Sequence, residues 1–428
     1  MRQATGSDRE TRLRAHAVED AVELLDRWTE RTGTARAPDP AAGHPSDPGI
    51  PVLARLVAEC GDPAATATAA RATARWARSA GRGPGHPGLY DGGLAGTLVG
   101  LRHAAALHPQ LHRVADRLAG RLLDRTLAGT ARTVPGAVTF RDYDLILGPA
   151  GTLLALSTAA PDRLGDPDRP GGPGAPGPSR ARALTRLARP LAALCAAPDL
   201  GGLRAHYLGH PHLGWLHGRV NTGMGHGVAG LLTALATAVR HGEDRGGPEV
   251  AAALGRASGW LRRQSFTDAR SIRSWDGAGP AAAPPEGARR RQAWCYGAPG
   301  VSWALWEAAD AQPDAAAREF AIDAFAGLAA GYHEEFHLFG DHPGDRLGLC
   351  HGAAGVLAVA DALFRHAGLP AAGVLRARLL GHLDRGRAEI RALGAERMAL
   401  LGGAAGTLSA VLTATGGDRA WLPCLGLR

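Results

Sequence analysis

The chain has 428 residues, 60 of them Gly and 29 Pro, and is 45% hydrophobic and 21% charged, a balance that excludes disordered and fibrous classes and leaves length for about two or three domains. Its 48 basic residues face 40 acidic ones for a net charge of +8, and every basic residue is Arg. The absence of Lys excludes Schiff-base and pyridoxal chemistry, a Walker-type phosphate loop and a protein-kinase lysine, and leaves His, Cys, carboxylates, hydroxyls or a metal to do the chemistry.

In chain order, the N-terminal stretch MRQATGSDRETRLR is charged and lacks an apolar h-region, so no secretory signal is expected. An amphipathic segment follows at 18–28, with Val22, Leu24 and Leu25 on its apolar side, and then a Pro/Gly/Asp-rich loop to Pro51. Residues 1–50 therefore read as a helix and loop packed on or flanking a main domain over 51–428. A Pro/Gly stretch at 165–179 reads as a solvated insertion. Residues 181–189 suit a helix stopped by Pro190, and 374–393 suit another. The uncharged run 398–417 is filled with Gly, Ala, Thr and Ser, so it reads as a buried helix entered through a Gly turn and not as a membrane span.

A Gly-x-x-Gly unit recurs six times, beginning at Gly93, Gly148, Gly227, Gly297, Gly352 and Gly403, and each opens an apolar segment. Intervals of fifty-odd residues or more fit two helices and two connections, so each period reads as a helical hairpin with its glycines at a helix N-terminus. Repeated hairpins stack as a solenoid or close into an all-α, α/α toroid, and in both cases the equivalent loops gather on one face.

Reactive residues lie in those loops: NTGMGHGVAG carries His226, WCYGAPG carries Cys295, and LCHGAAG carries Cys350 and His351. A cysteine alone reads as a small buried apolar residue. Superposed repeats bring these together, and two thiolates with an imidazole suit a zinc ion whose fourth position stays open, as a catalytic site requires. Helix N-termini behind Cys295 and Cys350 favour the thiolate. Cys60, Cys195 and Cys424 have no such neighbour, and five sparse cysteines argue against a disulfide framework and for a reducing compartment.

These three motifs resemble the signatures of the lanthionine synthetase C-like family, the lanthipeptide cyclases, and the similarity runs from about Leu89 to Gly406. The resemblance implies a toroid of inner and outer helices, usually seven hairpins where six glycine units are visible here. It implies one zinc ion on Cys295, Cys350 and His351, an active-site histidine at His226, and an aspartate at Asp144 in YDLILGPAG. The arginine and tyrosine flanking the first zinc cysteine fall on Arg291 and Tyr296, the former to stabilise negative charge or hold structure, the latter to order the site.

The implied reaction is addition of a Cys thiol to dehydroalanine or dehydrobutyrine in a dehydrated precursor peptide of leader and core. The implied partners are that peptide, a separate dehydratase and an exporter. No nucleic-acid partner is expected, because Arg is spread along the chain and mixed with Asp and Glu. The expected location is cytoplasmic, peripheral to the inner face of the membrane through a synthetase complex. Alternative readings are a zinc-retaining scaffold that docks peptides without catalysis, and addition of glutathione to dehydrated residues. His333-Glu334-Glu335-Phe336-His337 also matches the H-E-x-x-H pattern of zinc proteases, and His206, His210, His212 and His217 form a histidine-rich loop.

Overall fold

The computed structural model describes residues 2–34, 44–80, 85–158, 179–279 and 291–428. Helix α1 (Arg2–Thr34) precedes paired inner and outer helices: α2 (Gly49–Cys60) with α3 (Pro63–Ser79), and α4 (Leu94–Ala105) with α5 (Leu111–Thr130). A single turn, α6 (Phe140–Tyr143), leads into α7 (Pro149–Ser157) with α8 (Arg180–Leu194). Next come α9 (Val228–His241) with α10 (Pro248–Arg263), and α11 (Ala298–Ala311) with α12 (Ala315–Gly331). After short turns α13 (Glu334–His337) and α14 (Pro343–Leu347) come α15 (Ala353–Ala367) with α16 (Pro370–Arg385), then α17 (Arg387–Glu396) and α18 (Ala404–Ala414). Two small antiparallel ladders join β1 (Val220–Asn221) to β4 (Ala278–Gly279) and β2 (Phe266–Thr267) to β3 (Arg273–Ser274).

Helices α2, α4, α7, α9, α11, α15 and α18 touch in that order, and α18 returns to α2, which closes an α/α toroid. The composition of the two layers explains who goes where. Inner helices are apolar on every side and buried nearly throughout, as in α11 and α18, whereas outer helices bury one stripe. In α10 that stripe is Val250, Ala253, Leu254, Ala257 and Leu261. Helix α1 lies against α2, α3, α17 and α18 and covers the seam between the first and last hairpins.

All six first glycines occupy the N-cap of an inner helix. Only Gly297, with φ of 96°, needs glycine for its backbone angle. The second glycine serves close approach. A Cβ there would sit 2.1 Å from the Trp294 carbonyl at Gly300, and 1.9 Å from the Leu349 carbonyl at Gly355. The loop before each helix thus lies directly on its first turn, and those loops carry the reactive residues.

Backbone bonds then link loop to loop around the ring. The Leu89 N–H donates to Ile146, Leu145 to Gly225, Met224 to Cys295, Cys295 to Cys350, and Cys350 to Leu401. The Leu400 N–H donates to the Asp47 carboxylate at 2.8 Å and joins the seventh unit to the belt.

Several sequence expectations need correction. Six glycine units signal six hairpins, but the described residues form seven inner helices, because α2 keeps only Gly49, whose Cβ would meet the Met398 carbonyl at 2.7 Å. The 18–28 segment is the middle of a 33-residue helix. Pro190 does not stop its helix: α8 runs through it to Leu194, with Leu184, Leu187, Leu191 and Leu194 buried, and burial on both sides of the proline outweighs the lost hydrogen bond. The 374–393 segment is two helices that meet at Gly386, because Arg387 turns to pair with Asp20 of α1 at 2.7 Å. Residues 398–417 do contain a buried helix behind a glycine cap, and no described helix is long and apolar enough to cross a membrane. The Pro/Gly stretch at 165–179, apart from Ser179, lies outside the described residues.

The final residues fill the middle of the ring. Leu422, Cys424, Leu425 and Leu427 are buried, and the Cys424 carbonyl accepts from Tyr90 Oη at 2.8 Å. Trp294 Nε1 donates to the Leu425 carbonyl and Trp303 Nε1 to that of Gly426. The segment then turns back, and Arg428 pairs with Glu307 and Asp310.

Burial also sets an acid limit on the fold. His103 on α4 is enclosed, its Nδ1 has no partner, and loss of solvation pushes its pKa down to about 3. The folded state keeps this ring neutral while the unfolded chain protonates it below about 6.5. Between these values the unfolded state binds more protons, so stability falls as pH falls. Relative to His103→Leu, the parent should lose about 2 kcal/mol of unfolding free energy between pH 6.5 and 5. Denaturant titrations at the two pH values check this, and parallel pH trends for the two proteins would refute it.

Candidate functional site

The loop belt brings the chemistry-bearing residues of three consecutive units to one face. Cys295, Cys350 and His351 each offer a ligand atom, and these lie within 4.8 Å of one another. Two sulfurs and an imidazole nitrogen match the donor set preferred by zinc, and three protein ligands leave one position for a substrate. The two thiols share their protons unequally. Burial, followed by the Cys350 sulfur, holds Cys295 well above the usual thiol range. Hydrogen bonding from Cys295, then from His351, pulls Cys350 below it. The Cys350 thiolate in turn raises His351.

The two preceding units, those of α7 and α9, each supply one member of an acid–base pair. Asp144 is fully buried at the end of α6. Its Oδ1 accepts from the N–H groups of Leu147 and Gly148, at 2.7 and 2.8 Å, where α7 begins. Its Oδ2 lies 2.5 Å from His226 Nδ1. Burial raises the Asp144 pKa, and the bond to His226 is the largest opposing influence. Because the carboxylate takes Nδ1, Nε2 of this partly exposed ring is left to exchange a proton. Phe140 stacks on the imidazole at 4.2 Å, and Tyr143 Oη donates to the His226 carbonyl at 2.7 Å.

Arg291 and Tyr296 flank Cys295. The Arg291 guanidinium donates to the Phe339 carbonyl at 3.2 Å and lies over the Phe339 ring, yet is near enough to Cys295 to oppose the rise in its pKa. Burial pushes the Tyr296 phenol well up, and its Oη accepts from Asn221 Nδ2 at 2.8 Å.

The competing motifs do not assemble. His337 turns its Nδ1 to the backbone of His333, stacks on Tyr332, and leaves Nε2 buried without a partner. Glu334 is held by Arg378 at 2.8 Å. In the histidine-rich loop the rings meet only in pairs, His206 with His217 and His210 with His212. Among the described residues, the Cys295, Cys350 and His351 group alone has metal-binding geometry. Cys195 and Cys424 are enclosed, burial pushes both thiols up to about 12, and Cys60 accepts from Arg14.

Sequence reasoning missed Phe140, Asn221 and Asp345. Asn221 stands in the quoted NTGMGHG motif, and its Oδ1 also accepts from Gly223 N–H, a short-range signal that could have been read. Phe140 and Asp345 reach the site only through tertiary contacts.

A family model described as lanthionine synthetase C-like protein matches residues 204–425, just over half of the chain. Among solved structures, nisin cyclase aligns with a TM-score of 0.69 at 17% identity, covering 95% of this chain and 96% of that one. No curated protein matches the chain.

Proposed function

Because this chain belongs to the lanthionine synthetase C-like family, we propose that it is a zinc-dependent lanthipeptide cyclase acting on a dehydrated precursor peptide. The observation that carries the proposal is the convergence of a Cys295–Cys350–His351 cluster and an Asp144–His226 pair on adjacent loops of one belt. Cys295, Cys350 and His351 would hold one zinc ion, which when bound supplies a fourth position that keeps a substrate thiol as thiolate at neutral pH.

The chain's own residues would do the rest. His226 Nε2 accepts the thiol proton, and Asp144 holds the resulting imidazolium in place through Nδ1. Attack forms the S–Cβ bond and breaks the Cα=Cβ π bond of the dehydroamino acid. The electron pair then at Cα takes a proton back from His226, so the peptide's mass does not change. Phe140 fixes the plane of the ring, Tyr296 and Asn221 order the loop beside Cys295, and Arg291 adds positive charge where negative charge develops.

A dehydratase must supply the substrate, and an exporter fits as consumer of the product. Five free thiols suit a reducing cytoplasm.

The test is incubation of the zinc-loaded protein with a dehydrated, Cys-containing precursor, followed by thiol alkylation and mass measurement. Fewer alkylatable thiols at unchanged mass are expected. An unchanged thiol count would refute cyclisation and favour a scaffold, and a mass gain only with added glutathione would favour intermolecular addition.

A further inference from the structure

A metal-binding histidine works well only if its second nitrogen is held, because that contact fixes both the tautomer and the ring plane. His351 Nδ1 lies 3.1 Å from Asp345 Oδ1. An ionised carboxylate can only accept, so Nδ1 carries the proton and Nε2 keeps the lone pair that a metal requires.

The placement of Asp345 is itself built. It lies in α14, and its N–H donates to the His342 carbonyl at 2.9 Å. Gly340, with φ of 131°, brings the preceding loop so close that a Cβ there would sit 2.5 Å from the Asp345 Cβ. Arg346 donates to the Gly340 carbonyl at 2.9 Å and ties the loop to the same turn. Arg291 clasps the loop from the other side, donating to the carbonyls of Phe339 and, at 3.5 Å, Asp345. The 340–348 loop therefore presents one carboxylate to His351, and the arginine beside Cys295 holds that loop.

We propose that Asp345 is the positioning residue that orients His351 for the metal, and that Arg291 acts in part by holding the Asp345 loop. This rests on the zinc reading above, and the experiment separates the two. Zinc affinity of the full chain is measured by competition with a chromophoric chelator for the parent, Asp345→Ala and Asp345→Asn, alongside the melting temperature of each metal-free protein.

Asp345→Ala should bind zinc about 10–100-fold more weakly. Asp345→Asn keeps an acceptor for Nδ1–H and should lose less, with melting temperatures of the metal-free proteins unchanged. Parental affinity in the alanine variant, or equal losses in both variants, would overturn the proposal. Should the alanine variant fail to fold, the asparagine variant decides: affinity between those of the parent and His351→Ala supports it, and parental affinity sinks it. A parent that binds no zinc would instead refute the zinc reading itself.

Discussion

Cys350→Ala is expected to empty the metal centre and leave only the uncatalysed rate of thiol addition. Closed structural zinc sites with four ligands bind by about 10–16 kcal/mol, so removal of one of only three ligands should weaken affinity on the order of a thousandfold or more. Cys350 is the more telling of the two cysteines, because hydrogen bonding from Cys295 and from His351 draws its pKa down. Without it, Cys295 remains a buried thiol.

The fold should persist, since the link from this loop to the next runs through the Cys350 N–H and the Leu401 carbonyl, which alanine retains. Elemental analysis should find close to one zinc per parent chain and almost none in the variant, with matching circular dichroism. Retention of zinc and of rate would show that the metal lies elsewhere.

His226→Ala should give the second-largest effect, a loss of about 10²–10⁴ in cyclisation rate with zinc content unchanged. The split between the two measurements is the point of the experiment. His226 is not in the metal cluster, and its bond partner Asp144 is anchored independently by two backbone N–H groups. The acid–base pair can therefore be broken without disturbing the metal ligands. Asp144→Asn should cost nearly as much as the histidine change, because the amide oxygen stays on the two backbone N–H groups and the NH2 then donates to Nδ1, which leaves the proton on Nε2 where the base is needed. A His226→Ala protein with parental rate and full zinc would remove the imidazole from the mechanism.

The repeat and the convergence of Cys295, Cys350 and His351 were legible because both are encoded locally. Glycine at an N-cap and again three residues later answers a steric demand of the adjacent turn, and the reactive residues sit a fixed distance from those glycines, so a shared register implied a shared face. The seventh hairpin was hidden because α2 meets the same demand with Gly49 alone and with Asp47, a side chain that substitutes for a backbone link in the belt. Pro190 misled because its local cost is visible in sequence, whereas the burial that offsets it comes from helices distant in the chain. Asp345 lies only six residues before His351, but nothing in its own neighbourhood marks it out. Its role arises where Gly340 and Arg291 fold a loop back over it. Phe140 likewise meets the site only by stacking on His226, 86 positions later in the chain.

On the proposed cyclase function, the buried C-terminal segment bears on how a peptide with several rings would be handled. Cys424, Leu425 and Leu427 are buried, and residues 424–426 are bonded to Tyr90, Trp294 and Trp303 from different units of the ring, so among the described residues the centre of the toroid is filled. A peptide substrate of that cyclase would not be threaded through and modified in order as it passed. Each cysteine would have to arrive at, and depart from, the loop face that carries the site. Successive cyclisations would then be separate visits, their sequence set by which thiol and which alkene the peptide can present together, so that ring order would be a property of the substrate's conformation as each new crosslink reshapes it.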